Sequence, residues 1–285
     1  NEIGPQLIDN PTFNAPTSPD LIVNGDFTDT GSELITNGDF ATDLTDWIDS
    51  SSDTFAQVAL WQEEVGNMHI VTSAANRGAR QTGVYTVGLS YKFTAKLWIV
   101  SGGVYFGKND DKIGDTDYVT TGEWIDISVN FVPSSDSTLR AYTVNSGEFY
   151  LSNISVKELG EGWALGSGSQ GWSFEGEGAT YIPGTGREIY QEISTTSGSL
   201  YKIDFDITSI SAGGFGVYVI ESTDASAVDT YHTTVGPYER YFIANNTLAK
   251  IRIRSQNTST NGSVNNVSVQ EVDWAFGGGW SLGSN

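Results

Sequence analysis

Apolar and polar residues alternate over several stretches of the chain. In YKFTAKLWI (91–99), Tyr91, Phe93, Ala95, Leu97 and Ile99 fall on one side; Lys92, Thr94, Lys96 and Trp98 fall on the other. In WIDISVNFV (124–132), Ile125, Ile127, Val129 and Phe131 oppose Trp124, Asp126, Ser128 and Asn130. In YKIDFDI (201–207), Tyr201, Ile203, Phe205 and Ile207 oppose Lys202, Asp204 and Asp206. A period of two puts successive side chains on opposite faces of a strand. These stretches therefore predict antiparallel sheets with one buried and one wet face. Clusters of Gly, Asn, Asp and Ser between them predict turns. No convincing amphipathic helix is present. The expected fold class is all-β, with tandem antiparallel β-sandwich (jelly-roll) domains of about eight strands each.

The strands recur in order. LSYKFTAKLWI (89–99) matches SLYKIDFDITSI (199–210), GGVYFGKND (102–110) matches FGVYVIEST (215–223), and GEFYLSNISVKEL (147–159) matches NGSVNNVSVQEV (261–272). The period is about 110–115 residues, the size of one β domain. A shorter repeat lies at the front: LIVNGDF (21–27) and LITNGDF (34–40), with a fainter LIDNPTF (7–13). The heptad is expected to be the opening strand of the module. The expected division is residues 1–33 as an extended segment with orphan NGDF-type strands, 34–158 as the first jelly roll and 159–273 as the second. Residues 274–285 are expected to begin a further repeat or to form a joint. An orphan strand exposes unpaired backbone, so a neighbouring copy is a candidate partner for residues 1–33.

Composition narrows the function classes. The net charge of −21 opposes binding to nucleic acid or anionic membrane. No segment approaches the roughly 18 consecutive apolar residues of a membrane span. There is no cysteine, which excludes disulfides, thiolate metal sites and cysteine nucleophiles. The sequence begins without Met, as expected of a chain that is processed, trimmed or part of something longer.

LITNGDFATDLTDWI (34–48) resembles the opening of the family four and nine carbohydrate-binding modules. GEWIDISVNF resembles a later strand of that family, and FYLSNISVKEL its closing strand. The Gly/Trp-rich joint GWALGSGSQGW (162–172) resembles that of bacteriophage virion proteins with tandem modules. The resemblance implies a jelly roll; it does not specify a ligand, because a fold hosts many functions. In such relatives the NGD turn and a closing acidic pair flank a structural calcium ion. Here Asn37, Asp39 and Asn153 are the corresponding oxygen donors, with Ser152–Asn153 in place of the acids. A structural turn, with glycine supplying the positive φ, is the competing reading.

Sugar binding needs exposed ring faces beside polar groups. Trp98, Tyr105, Arg140 and Tyr142 in the first unit, and Tyr218, Arg252 and Arg254 in the second, fall out of phase with their apolar neighbours. They are candidate glycan contacts; packing against an adjacent module or subunit is the alternative. The Asp-rich loop KNDDKIGDTD (108–117) lacks the spacing of an EF-hand and is expected to be a solvated hairpin tip. His69 and His232 stand in no catalytic motif, and Glu63–Glu64 point to opposite faces of a strand. The expected function is therefore non-catalytic: a virion surface structural protein, a phage fibre or capsid-decorating protein, with weak adhesion to cell-surface glycans. Its expected partners are other virion proteins or copies of itself in a homo-oligomer, without nucleic acid or membrane insertion. The expected location is the virion surface or the extracellular space. The alternative is a polysaccharide-binding appendage of a secreted bacterial glycoside hydrolase.

Overall fold

A computed structural model describes residues 18–28, 30–108, 110–114, 117–119, 121–166, 171–174, 178–185, 188–221 and 231–272, and the backbone of 224–227. The heptad-like residues 7–13 and the joint at 274–285 lie outside the described residues. The chain forms two compact units, each an antiparallel β-sandwich. Among the described residues there is no helix.

The first sandwich is built from β1 (Thr30–Glu33), β2 (Ile48–Ser50), β3 (Thr54–Trp61), β4 (Glu64–Thr72), β5 (Gly78–Gln81) and β6 (Tyr91–Ser101). It continues with β7 (Gly103–Lys108), β8 (Asp111–Lys112), β9 (Tyr118–Val119), β10 (Ile125–Phe131), β11 (Leu139–Thr143) and β12 (Gly147–Leu159). One sheet runs β10-β6-β12-β4-β3, with β1 also on β12; the other runs β2-β5-β11-β7-β8, with β9 on β7. The alternation in the sequence decides which side chains meet. Phe93, Leu97, Ile99, Met68, Ile70, Phe149 and Leu151 of one sheet pack with Ala79, Val104, Phe106, Leu139 and Ala141 of the other.

The second sandwich contains β13 (Ala164–Leu165), β14 (Trp172–Phe174), β15 (Ala179–Tyr181), β16 (Glu188–Ser194) and β17 (Leu200–Ala212). It also contains β18 (Phe215–Glu221), β19 (Asp224–Ala227), β20 (Gly236–Ile243), β21 (Leu248–Ser255) and β22 (Asn261–Val272). Its sheets run β13-β16-β21-β18-β19 and β14-β15-β22-β17-β20. Ile203, Phe205, Val217, Ile251, Ile253, Val264 and Val269 are all nearly or fully buried.

The two NGDF heptads have equivalent jobs, one in each unit. In the first sandwich β4 pairs only with the early part of β12, from Gly147 to Leu151. The later part of β12 is open on that side, and residues 30–40 fill it. The Leu34 N–H donates to the Val156 carbonyl at 2.9 Å, and the Ile154 N–H donates to the Gly38 carbonyl at 2.9 Å. In the second sandwich β15 likewise stops at Val264. Residues 20–27 fill the gap: the Leu21 N–H donates to the Val269 carbonyl at 2.8 Å, and the Val267 N–H to the Gly25 carbonyl at 2.8 Å.

For the described residues 18–28 and 30–33 this corrects the expectation that residues 1–33 form a separate segment of orphan strands. Residues 30–33 are β1 of the first sandwich, and residues 18–28 belong to the unit containing the second. The compact unit that contains the first sandwich runs to Glu161 and also takes in Ser173 and Phe174, against the expected limits 34–158 and 159–273. The second body opens with a Trp-rich stretch and has no NGDF strand of its own. A strand from far upstream takes the place because loop closure costs only slowly more as the loop lengthens.

The role of the heptad glycine also differs from expectation. Asn24 and Asn37 have φ of 54° and 50°, and Phe27 and Phe40 have φ of 57° and 47°. The left-handed positions are therefore Asn and Phe, not Gly. Glycine is required by close approach instead: a Cβ on Gly25 would lie 1.8 Å from the Val267 oxygen, and one on Gly38 2.1 Å from that of Ile154. The left-handed Phe residues are held by full burial. Each closing strand bulges beside the heptad, at Asn153 (φ 50°) and Asn266 (φ 51°). Asn tolerates this conformation better than most residues. The bulge turns the next N–H toward the heptad.

Candidate functional site

The wet face of sheet β10-β6-β12-β4-β3 carries a concentration of rings. Trp98 on β6 is directly opposite Tyr150 on β12, which is directly opposite His69 on β4. Tyr150 lies between two parallel rings, with Trp61 at 4.1 Å and His69 at 4.2 Å, both within 5° of parallel. Two rings cannot share one face at those distances, so Trp61 and His69 cover opposite faces of Tyr150. Trp98 meets Trp124 edge-on at 6.0 Å. Trp61, His69, Trp98 and Trp124 remain half-buried, while Tyr150 is only 5% exposed.

Polar groups border the rings. Lys96 Nζ is 2.6 Å from Glu64, whose other oxygen accepts from Asn153 Nδ2 at 2.8 Å. The Glu64 hydrogen bond raises the Lys96 pKa. His69 Nε2 is 3.0 Å from Glu148. Burial, then the charge of Glu148, raises the Tyr150 pKa, so its hydroxyl stays protonated at neutral pH. Aromatic surface bordered by charged and amide groups suits a flat, hydroxyl-rich ligand.

The seven candidate glycan residues lie on three separate surfaces. Trp98 belongs to the aromatic face just described. Tyr105, Arg140 and Tyr142 lie on the other sheet of the same sandwich. Tyr105 is 2% exposed and Tyr142 8%. Their hydroxyls bond Asn76 Oδ1 at 2.8 Å and Ser50 Oγ at 2.9 Å, and burial pushes the Tyr105 pKa up to about 12. Arg140 is forked onto Asp136 at 3.0 and 2.8 Å. Falling out of phase with the core put these residues on the outer face, but hydrogen bonds and neighbouring side chains cover the rings there.

Tyr218, Arg252 and Arg254 lie on sheet β13-β16-β21-β18-β19 of the second sandwich. Tyr218 and Tyr190 are both register partners of Arg252. Arg252 is 2.7 Å from Glu188, Arg254 stands 5.7 Å from the Tyr218 ring centre, and Lys250 4.1 Å from that of Tyr190. These three candidates are thus adjacent and half-buried.

Asn37, Asp39 and Asn153 do line one open cleft, with Glu33. Their hydrogen bonds make it a structural joint. Asn37 Nδ2 donates to Asp43 and to the Thr45 carbonyl, all at 3.1 Å. Glu33 accepts from the Ile35 and Val156 N–H groups, both at 2.9 Å. Calcium takes about 6–8 oxygen ligands. Among the described residues no cluster of three or more His, Asp or Glu side chains is placed to hold a metal.

Tyr150, Trp61, His69 and Trp124 were not among the sequence candidates. Tyr150 carries a signal in retrospect, because in FYLSN it alternates with the buried Phe149 and Leu151. Trp61 sits at a hairpin end where Gln62 and Glu63 adopt positive φ, and no local period marks its direction.

The chain is similar in structure to known carbohydrate-binding jelly rolls. The tandem CBM22-1–CBM22-2 domain of Paenibacillus barcinonensis Xyn10C aligns at 10% identity and TM-score 0.39, covering 85% of this chain and 98% of its own. The CBM22-1 xylan-binding domain of the same protein aligns at 13% identity and TM-score 0.37, covering 45% and 96%. The N-terminal cellulose-binding domain of Cellulomonas fimi β-1,4-glucanase C aligns at 13% identity and TM-score 0.26, covering 40% and 85%. No protein-family model and no curated protein matches the sequence.

Proposed function

We propose that this is a non-catalytic carbohydrate-binding protein, and that its first sandwich holds a glycan chain on the face of Trp61, His69, Trp98 and Trp124, with Tyr150 as the buried ring that spaces Trp61 from His69. One observation carries the reading: five rings, from β3, β4, β6, β12 and the residue before β10, converge on the wet side of one sheet. A solvent-facing sheet surface gains nothing for its own core from so many rings. Pyranose CH groups stack on ring faces, and the Lys96–Glu64 and His69–Glu148 pairs at the border take hydroxyls. Glu64 is already bonded to Lys96 and Asn153, and Glu148 to His69, which supports binding over acid–base chemistry. Tyr218, Arg252 and Arg254 form a second, smaller surface proposed for glycan contact.

The setting we propose is extracellular, on a virion surface, in contact with other virion proteins or copies of the chain. Repetition there would make weak single-site binding effective through avidity. The appendage of a secreted glycoside hydrolase would use the same face, and a catalytic domain flanking these modules in the full-length gene would identify that setting. Among the described residues no helix is long and apolar enough to cross a membrane.

A polysaccharide and glycan array with the displayed protein tests the binding. Retention on a β-linked or other extended glycan is expected, and Trp98→Ala should lose it with hydrogen exchange of the core unchanged. Absence of binding by multivalent, folded protein would overturn the reading.

A further inference from the structure

The opening segment of the second sandwich raises a separate question: does it need to be covalently attached to the body it completes? The same contacts are made twice in this chain, at very different sequence separations. The Trp47 indole N–H donates to the Asn37 carbonyl at 3.1 Å, ten residues away. The Trp163 indole N–H donates to the Asn24 carbonyl at 3.0 Å, 139 residues away. Gln81 clamps the Thr36 backbone, accepting at 3.1 Å and donating at 2.9 Å. Gln191 clamps Val23, accepting at 2.7 Å and donating at 2.9 Å. Glu33 receives the Val156 N–H at 2.9 Å, and Asp20 the Val269 N–H at 2.9 Å. Phe40 packs 5.6 Å from Trp47, and Phe27 packs 5.1 Å from Trp163.

We propose that β22, Gln191 and Trp163 form a strand-acceptor site for an extended Asp-Leu-Ile-x-Asn-Gly-x-Phe segment, and that a second copy of this chain can supply that segment. Each recognition element lies in the segment itself: a carboxylate for the Val269 N–H, a backbone held by Gln191, glycine beneath the Val267 carbonyl, and a phenylalanine that becomes fully buried. None requires the segment to belong to the same molecule. An identical segment from another copy makes identical contacts. The own segment therefore wins only by its effective concentration, and strand exchange joins copies at high concentration. Only residues 28 and 29 separate Phe27 from β1, so a segment given away keeps its donor attached to the recipient. The fainter copy at 7–13 has Pro11 where the groove requires glycine, and the site should reject it.

The test uses the full chain with a protease site replacing Thr28–Asp29. After cleavage the chain is refolded with excess labelled peptide of residues 18–28. Capture of this peptide is expected, with capture of the Phe27→Ala peptide weaker by roughly several hundredfold or more, as loss of a buried Phe implies. The peptide of residues 4–14 should not be captured. Equal capture of all three peptides, or refolding of the second sandwich with none bound, would overturn the proposal. A second arm needs no cleavage: two differently tagged full-length copies are refolded together at high concentration. Copurification that Phe27→Ala in both copies abolishes is expected. Strict absence of mixed species would show that the segment is not exchanged between copies.

Discussion

The two sandwiches share a scaffold and differ on its wet face. Where the first has Trp98, Tyr150 and His69 in register across three strands, the second has Ser209, Ser263 and Thr180. Those three hydroxyls bond one another, Ser263 Oγ lying 3.1 Å from Ser209 Oγ and 2.9 Å from Thr180 Oγ1. Inward-facing residues, the opening heptad, the glutamine clamp and the closing bulge are kept in both. The comparison separates what the fold requires from what it merely permits. Burial and backbone pairing tie the inner residues to one geometry, whereas the outer row can be rings or hydroxyls without altering the ladder.

The strongest way to break the comparison is through the shared device. Phe27→Ala should destabilise the second sandwich by about 3–5 kcal/mol and leave the first unchanged, and Phe40→Ala should do the reverse. Amide hydrogen exchange followed separately in each sandwich reads this directly. If Phe27→Ala loosened β12 rather than β22, the assignment of residues 18–28 to the second sandwich would fail. Gly25→Ala should cost about 1–3 kcal/mol in the second sandwich, because the new Cβ meets a backbone carbonyl that must shift. Denaturant titration with the same exchange readout checks it.

The face should respond differently from the scaffold. Trp98→Ala should weaken glycan binding about tenfold or more, while Ser263→Ala should leave it unchanged. Affinity electrophoresis on the retained polysaccharide compares them. Equal losses would mean that ligand is held elsewhere.

The smallest effect concerns pH. The Arg140 hydrogen bonds hold the Asp136 carboxyl below its ordinary range. A depressed folded pKa gives stability that is present above the unfolded value of about 3.9 and lost as pH falls through the folded one. At the matching place of the second sandwich Lys250 pairs with Glu192 at 3.2 Å. Asp136→Asn should therefore slightly lower the melting temperature of the first sandwich at pH 7, by an amount that shrinks as the pH falls below the unfolded value of about 3.9. A pH series of thermal melts on both proteins tests it.

Much of the fold could be read along the chain, because the inner side chains obey a period of two. Tyr91, Phe93, Ala95, Leu97 and Ile99 all face the core as their alternation predicts. The candidate site was less legible. Trp98 was visible as a ring on the polar side of its strand, but the same reasoning selected Tyr105 and Tyr142, which neighbouring groups bury. Phase tells which sheet face a side chain leaves from. It cannot tell what stands above it.

The sequence alone determined that this chain is all-β, that its body occurs twice, and that a Leu-Ile-x-Asn-Gly-Asp-Phe heptad is written twice near the front. These follow from local rules: side-chain periodicity, turn chemistry and repetition. Only the tertiary structure decided which heptad completes which body, why its glycine is required, and which rings share a face. Those are matters of contact between segments distant in sequence, where one residue's direction depends on a bulge or a hairpin end elsewhere.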